Sequence, residues 1–160
     1  MDKPKVVAVV GTNASGKSAL GVRLAKTFDG EIISADSRQV FRGLDLGSGK
    51  ITPEEMQGVP HYLIDVRKPG EFFSMADFQK LSYEKIDEIH ARGHLPMIVG
   101  GTGLYVDSVL DGYLLSDKEP DLAYRVELEK LTTPMLYAKL VSLVPDVQVE
   151  RNNRNRAMRL

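Results

Sequence analysis

Val6–Val10 (VVAVV) leads straight into Gly11-Thr12-Asn13-Ala14-Ser15-Gly16-Lys17-Ser18, and that loop leads into Leu20, Leu24 and Phe28. The first run is apolar throughout, flanked by polar residues and closed by Gly11. A strand with no polar position is expected to be covered on both faces, as in a parallel sheet. Leu20, Leu24 and Phe28 recur at helical spacing, which predicts a helix from about Ser18 to Phe28, stopped by Gly30. Ile32–Ala35 then reads as a second short strand ending at Asp36. Strand, helix and strand in this order form a βαβ unit.

The loop between strand and helix satisfies G-x-x-x-x-G-K-[ST] at every position. Glycines let such a loop wrap closely, so that backbone N–H groups and the helix N-terminus point at phosphate oxygens. Lys17 adds a mobile positive charge, and the Ser18 hydroxyl suits Mg²⁺. The eight residues Gly11, Thr12, Asn13, Ala14, Ser15, Gly16, Lys17 and Ser18 therefore read as a phosphate-binding loop, or P-loop. This specifies phosphates with a divalent cation and leaves the reaction open, since nucleotide kinases, NTPases and diphosphate-handling transferases all use it. Asp36 closes the second strand at the same carboxyl edge of the sheet, where open α/β sheets bind ligands. There it could hold Mg²⁺ through water, act as a general base, or cap a turn with Ser37. Ser37 and Gln39 could read the edge of a base by hydrogen bonds.

Farther along, Gln39–Lys50 shows no clean period and contains several glycines, which predicts an ordered functional loop or a broken helix. Thr52-Pro53-Glu54-Glu55 offers an N-cap, a proline at the first helical position and an acid at the third. His61–Val66 is the expected third strand, ended by Pro69-Gly70. Ser74-Met75-Ala76-Asp77 is a capping box opening a long helix with Phe78, Leu81, Ile86 and Ile89 on one face and Gly93 at its end. Met97–Val99, the fourth strand, enters Gly100-Gly101-Thr102-Gly103 and a helix through Val109, stopped at Gly112. Alternating strands and helices predict an α/β fold with a mostly parallel sheet flanked by helices. From Ser116 the strands disappear: Leu122–Leu131 and Pro134–Leu143 look helical, and four arginines with no acid occupy Arg151–Arg159. The expected organisation is a P-loop α/β core over residues 1–115 and a helical C-terminal extension over 116–160.

Composition narrows the partners. The 160 residues are 42% hydrophobic and 27% charged, enough for a proper core in one domain with a small appendage. Twenty-one basic residues against 22 acidic ones give a net charge of −1, too balanced for gripping nucleic acid by bulk electrostatics alone. The absence of cysteine excludes disulfide frameworks, thiolate zinc sites and cysteine nucleophiles. His61, His90 and His94 form no HxxxH or HExxH pattern; His61 reads as structural. No stretch approaches the about 18 to 20 apolar residues of a membrane span. The start, MDKPKVVAVVG, shows no signal-peptide or transit pattern, so a soluble cytoplasmic protein is expected.

GTNASGKS, followed by ISADSRQVFRGLDLGSGK, PHYLIDV and PMIVGGTGLYVDSVLDG, resembles the tRNA dimethylallyltransferase (isopentenyl diphosphate:tRNA transferase) family nearly end to end. The resemblance implies a P-loop NTPase-like fold and transfer of a dimethylallyl group from dimethylallyl diphosphate to the N6 amine of the adenine just 3′ of certain anticodons. It implies that Gly11–Ser18 cradle the diphosphate with Mg²⁺ on Ser18, and that Lys17, Asp36 and Thr102 are catalytic, Asp36 taking the amine proton. Ser37, Arg38 and Gln39 would contact the substrate nucleotide together with Asp36 and Thr102. Arg125 would contact diphosphate or tRNA, and Asn155, Arg156, Ala157, Met158 and Arg159 would fall where relatives bind the tRNA. The partners implied are the tRNA anticodon stem-loop and dimethylallyl diphosphate, with no membrane and a monomeric protein. Ser18, Phe41 and Ser48-Gly49-Lys50 stand where the family usually has Thr, Tyr and Thr-Ala-Lys, and family members continue well past the position of Leu160.

Three other readings share parts of this pattern. An adenylate isopentenyltransferase would use a free nucleotide, which would not need Arg125 or the basic tail. A small nucleotide or shikimate-type kinase would need an Arg-bearing lid between the third strand and the GGTG turn. A shortened paralogue would bind tRNA or nucleotide without turnover.

Overall fold

The computed structural model describes residues 4–115 and 121–158. Its contacts divide the chain into two compact units, Met1–Ser116 and Asp117–Leu160. The first holds strands β1 (Val7–Val10), β2 (Gly30–Ser34), β3 (His61–Tyr62) and β4 (Leu95–Gly100) with helices α1 (Lys17–Phe28), α2 (Pro53–Met56), α3 (Met75–Ala91) and α4 (Gly103–Leu110). The second holds α5 (Leu122–Glu129), α6 (Thr133–Leu143) and α7 (Arg154–Ala157).

All strand pairs are parallel, in the order β1-β4-β2-β3. Side chains of successive strand residues point to opposite faces, so two cores form. On one face Ile32, Met97 and Val99 pack with Val22 and Ala25 of α1. On the other, Ile33 and Ile98 pack with Phe78, Ile86 and Ile89 of α3 and Tyr105, Val106 and Val109 of α4. Phe78 stacks on Tyr105 with ring centroids 4.3 Å apart, joining α3 to α4.

Local signals account for most boundaries. Thr52 and Ser74 form the expected capping boxes, the Thr52 hydroxyl accepting from Glu55 N at 3.3 Å and the Ser74 hydroxyl from Asp77 N at 3.1 Å. The stop after α1 is Asp29 at φ 50°, and Gly30 already belongs to β2.

Two expectations are corrected. The apolar run of β1 was expected to be covered on both faces, yet among the described residues β1 is an edge strand, pairing only with β4, and Val7 and Val10 are 36% and 60% exposed. Apolar content reports that a residue can be buried, and neighbour order decides whether it is. The third strand stops at Tyr62 instead of Val66, because Leu63 and Asp65 take left-handed φ values of 60° and 57° that break extended pairing. The chain thereby turns to pair with the stretch after Asp36: Asp65 N donates to Gln39 O at 3.0 Å, Arg67 N to Val40 O at 2.9 Å and Arg42 N to Arg67 O at 2.8 Å.

The helical unit has its own small core of Leu136, Leu140 and Ala157, with Leu128, Leu131 and Met158 against it. Arg154 donates to Leu131 O at 2.7 Å and Glu129 O at 2.9 Å, satisfying carbonyls at the C-terminal end of α5.

Candidate functional site

The register Val10↔Gly100 and Ser34↔Val99 brings the carboxyl ends of β1, β4 and β2 side by side. Gly11, Gly101 and Asp36 therefore leave the sheet along its carboxyl edge, the edge at which open α/β sheets bind ligands. Helix α1 opens at that edge with no acidic residue in its first turn, leaving its positive end unopposed.

Within the loop, Ala14 and Gly16 both lie in the left-handed region, at φ 60° and 80°, and the chain curls so that Ser15 N reaches Thr12 O at 3.4 Å. Such curled backbone, running into a helix N-terminus, forms a concavity for an anion. The Lys17 ammonium donates to Thr12 O at 3.0 Å, so the charge sits folded over the loop that it would share with phosphate. Ser18 is the second residue of α1 and half-buried.

The GGTG turn is pressed against both neighbours. A Cβ on Gly100 would lie 2.1 Å from Ala35 O, so only glycine lets β4 leave the sheet this close to β2. One built on Gly101 would lie 3.2 Å from Gly11 O and 3.4 Å from Lys17 Nζ, which places this turn directly beside the P-loop. Thr102 then binds the Asp36 segment from both ends: Thr102 N donates to Ala35 O at 3.0 Å, and Thr102 Oγ1 accepts from Ser37 N at 3.0 Å.

Asp36 shapes its own turn. Its Oδ1 accepts from Arg38 N at 2.8 Å and from Gln39 N at 3.3 Å, while Oδ2 accepts no hydrogen bond from the described residues. One carboxylate oxygen thus fixes the loop, and the other has no partner among the described residues at the carboxyl edge of the sheet. Ser37 and Arg38 are exposed beside it. Gln39 is buried, and both ends of its amide are engaged within the chain, accepting from the Ser34 hydroxyl at 3.2 Å and donating to Gly49 O at 3.2 Å. The side chain read as a base-edge contact is therefore a strut of the loop.

Beyond Gly49, the buried side chain of Lys50 makes ion pairs with Asp45 at 2.7 Å and Asp65 at 2.6 Å. Burial alone would lower the Lys50 pKa, but these carboxylates hold it above its ordinary value. Sequence reasoning passed over this cluster, because Lys50, Asp45 and Asp65 meet only through the turn after β3. At the opposite end of β2, Glu31 is buried against Arg92 at 2.7 Å and the Tyr62 hydroxyl at 2.6 Å, remote in the strand from the ligand edge. His61 is half-buried with Nδ1 2.8 Å from Val59 O, in keeping with a structural residue.

The remaining predicted site residues lie in the helical unit. Arg125 is exposed on α5, its Nε 3.5 Å from Glu129 Oε1. Asn155 and Arg156 are exposed on α7, Met158 is half-buried, and the Ala157 methyl is buried in the unit's core. Arg159 lies outside the described residues.

Among the described residues no group of three or more His, Cys, Asp or Glu is placed to hold a metal ion. One hydroxyl at the P-loop and one carboxylate at the same edge fit a Mg²⁺ ion that keeps its waters and relies on substrate phosphates. They do not fit an all-protein metal cage.

Comparison with known proteins adds the following. The family model described as IPP transferase matches residues 39–160. A tRNA dimethylallyltransferase of Streptococcus gordonii is 47% identical over 160 residues, covering 98% of this chain and 54% of the relative. Its counterpart in Halalkalibacterium halodurans is 49% identical over 163 residues, covering 98% and 52%. The crystal structure of a full-length tRNA isopentenylpyrophosphate transferase from Bacillus halodurans superposes with a TM-score of 0.70 at 49% identity, over 98% of this chain and 54% of that one. A eukaryotic dimethylallyltransferase acting on tRNA superposes with a TM-score of 0.85 at 28% identity, over 98% and 40%. The chain thus spans about half the length of the curated relatives it matches.

Proposed function

This chain belongs to the IPP transferase family, and from that premise we propose that it carries the donor and acceptor sites of a tRNA dimethylallyltransferase. The observation that carries the reading is the convergence of three loops at one sheet edge. The P-loop lies beside Gly101, and the neighbouring Thr102 holds the Asp36 turn through Ser37 N at 3.0 Å. A diphosphate on the P-loop and an amine before Asp36 would then be neighbours.

The reaction breaks the bond between the allylic carbon and the diphosphate oxygen and forms a bond from that carbon to adenine N6. Positive charge spreads over the allyl group as it leaves, and negative charge grows on the diphosphate oxygens. Backbone N–H groups of Gly11–Ser18 and the Lys17 ammonium, once it lets go of Thr12 O, would meet those oxygens, the kind of preorganised stabilisation that lowers such barriers most. Ser18, with the diphosphate itself, would hold Mg²⁺, which when bound supplies further positive charge to the leaving group. The free oxygen of Asp36 takes the amine proton as the carbon–nitrogen bond forms. Adenine in a stacked anticodon loop must be turned out to reach this edge, and exposed Ser37 and Arg38 stand where they would meet it.

Arg125 and Arg156 are assigned to the tRNA on their exposure and charge, and Asn155 on its exposed amide. The side chains of Gln39 and Ala157 act indirectly, by bracing the loop and the helical unit. A tRNA acceptor favours a cytoplasmic reaction; among the described residues no helix is long and apolar enough to cross a membrane.

Incubation with radiolabelled dimethylallyl diphosphate and unmodified tRNA tests the proposal, with AMP and with ATP plus shikimate in parallel. Label in tRNA alone is expected. Label in AMP would move the assignment to free nucleotides, and phosphate transfer to shikimate would make the protein a kinase.

A further inference from the structure

The loop Gln39–Lys50 is long and weakly anchored by apolar contacts: Gln39 and Val40 are buried, whereas Leu44 and Leu46 are 44% and 102% exposed. A segment with so little buried surface opens easily unless polar contacts close it. Its closing contact is the Lys50 ammonium, whose side chain is only 7% exposed. An ammonium has three N–H donors. Here they reach Phe41 O at 3.0 Å, Asp45 Oδ1 at 2.7 Å and Asp65 Oδ1 at 2.6 Å, tying the start and middle of the loop to the turn after β3.

From this clamp a continuous chain of contacts runs to the ligand edge. Gly49, the residue before Lys50, accepts from the Gln39 side chain at 3.2 Å. Gln39 in turn donates its backbone N–H to Asp36 Oδ1 at 3.3 Å, beside the 2.8 Å bond from Arg38 N. Arg42 Nε, donating to Asp65 O at 2.7 Å, fastens the same turn from the other side. Loss of the clamp would leave two carboxylates facing each other without a cation, driving the loop outward and releasing Gly49 from Gln39.

We propose that Lys50 is a positioning residue, its ammonium holding the Asp36–Gln39 turn so that the free oxygen of Asp36 is aimed at the acceptor amine. The inference rests on the transfer reaction proposed above. With all three ammonium donors engaged within the chain, Lys50 acts through Gly49, Gln39 and the Asp36 turn. The P-loop has no part in this chain of contacts, so donor binding and acceptor chemistry should separate.

The test compares Lys50→Met and Asp65→Asn with the parent protein. Asn tolerates the left-handed backbone at position 65 better than other non-glycine residues, so the second variant keeps the turn while weakening the clamp. Three quantities are measured: amide exchange at Arg38 and Gln39, the melting shift produced by pyrophosphate with Mg²⁺, and the separate kcat and KM values for tRNA prenylation. Lys50→Met should speed exchange at both amides about tenfold while α1 amides stay protected. Its kcat should fall about tenfold or more, since small misplacement of a catalytic group is that costly. The KM for dimethylallyl diphosphate and the pyrophosphate shift should stay within about twofold of the parent, and Asp65→Asn should move kcat in the same direction by about threefold or more.

Unchanged exchange at Arg38 and Gln39, or a kcat within about twofold of the parent in both variants, would overturn the proposal. So would loss of the pyrophosphate shift in parallel with kcat, which would make Lys50 a general support of the fold. If Lys50→Met does not fold, Asp65→Asn decides by the same limits. A parent that prenylates nothing would remove the proposed reaction and this role with it, an outcome distinct from an active parent whose variants are unaffected.

Discussion

Replacing Asp36 by Asn separates its two oxygens, because the structure gives them different work. Oδ1 holds the turn through Arg38 N at 2.8 Å and Gln39 N at 3.3 Å, and a carboxamide oxygen can keep both bonds. The other position becomes an NH₂ group, which donates and cannot take a proton. Hydrogen bonds to a charged acceptor contribute about 1.5–3 kcal/mol and those to a neutral one about 1 kcal/mol. The longer bond is weak and Arg38 is exposed, so solvent reduces the difference; the expected loss is about 1 kcal/mol, a melting point lower by about 3–5 °C. Pyrophosphate binding should be nearly unaffected, since the P-loop does not lean on this carboxylate. Turnover should fall by about 10²-fold or more, the scale of a lost general base. The assay is label transfer from dimethylallyl diphosphate to tRNA, run beside a melting curve with and without pyrophosphate and Mg²⁺ on the same preparation. Partial rescue by extra Mg²⁺, with weakened Mg²⁺-dependent pyrophosphate binding, would reassign Asp36 to the metal. Activity within a few-fold of the parent, with only the melting point lowered, would refute the base role and leave Asp36 a turn residue.

Three further outcomes follow from the same geometry. Lys17→Ala should remove most of the melting shift that pyrophosphate with Mg²⁺ produces, read by calorimetry, because a ligand held only by the folded state stabilises it by mass action. Gly100→Ala should cost about 3 kcal/mol or prevent folding, measured by urea unfolding, since a Cβ would lie 2.1 Å from Ala35 O. Burial alone would raise the Glu31 pKa, yet the hydrogen bonds from Arg92 and Tyr62 hold it below its ordinary value of 4.5. A carboxylate with a lowered folded pKa stabilises the protein above its unfolded pKa and loses that contribution as pH falls through the folded one. Glu31→Gln should therefore lose stability near pH 7 and show a shallower decline below about pH 4.5 than the parent in thermal melts.

The curled loop Gly11–Ser18 and the helix after it were legible in the sequence, because the motif is local: glycines, one lysine and one hydroxyl on consecutive backbone ahead of a helix. The capping boxes at Thr52 and Ser74 were legible for the same reason, each being closed within four residues of chain. The alternating pattern of apolar runs likewise determined an α/β fold with a parallel sheet. Strand order was not local, so the exposure of Val7 and Val10 at the sheet edge had no signal in VVAVV. The end of β3 depended on left-handed backbone at Leu63 and Asp65; Asp favours that region several-fold over most residues, but Leu does not, so the turn at Leu63 had no local signal. That turn carries Asp65 to Lys50, 15 residues away in sequence, and gives Gln39 its backbone partner. Whether Gln39 faces a ligand or braces a loop was therefore decided by contacts between distant segments. Residue types set which chemistry each position can perform; the packing of distant segments against one another decided which of those chemistries is turned toward the ligand edge.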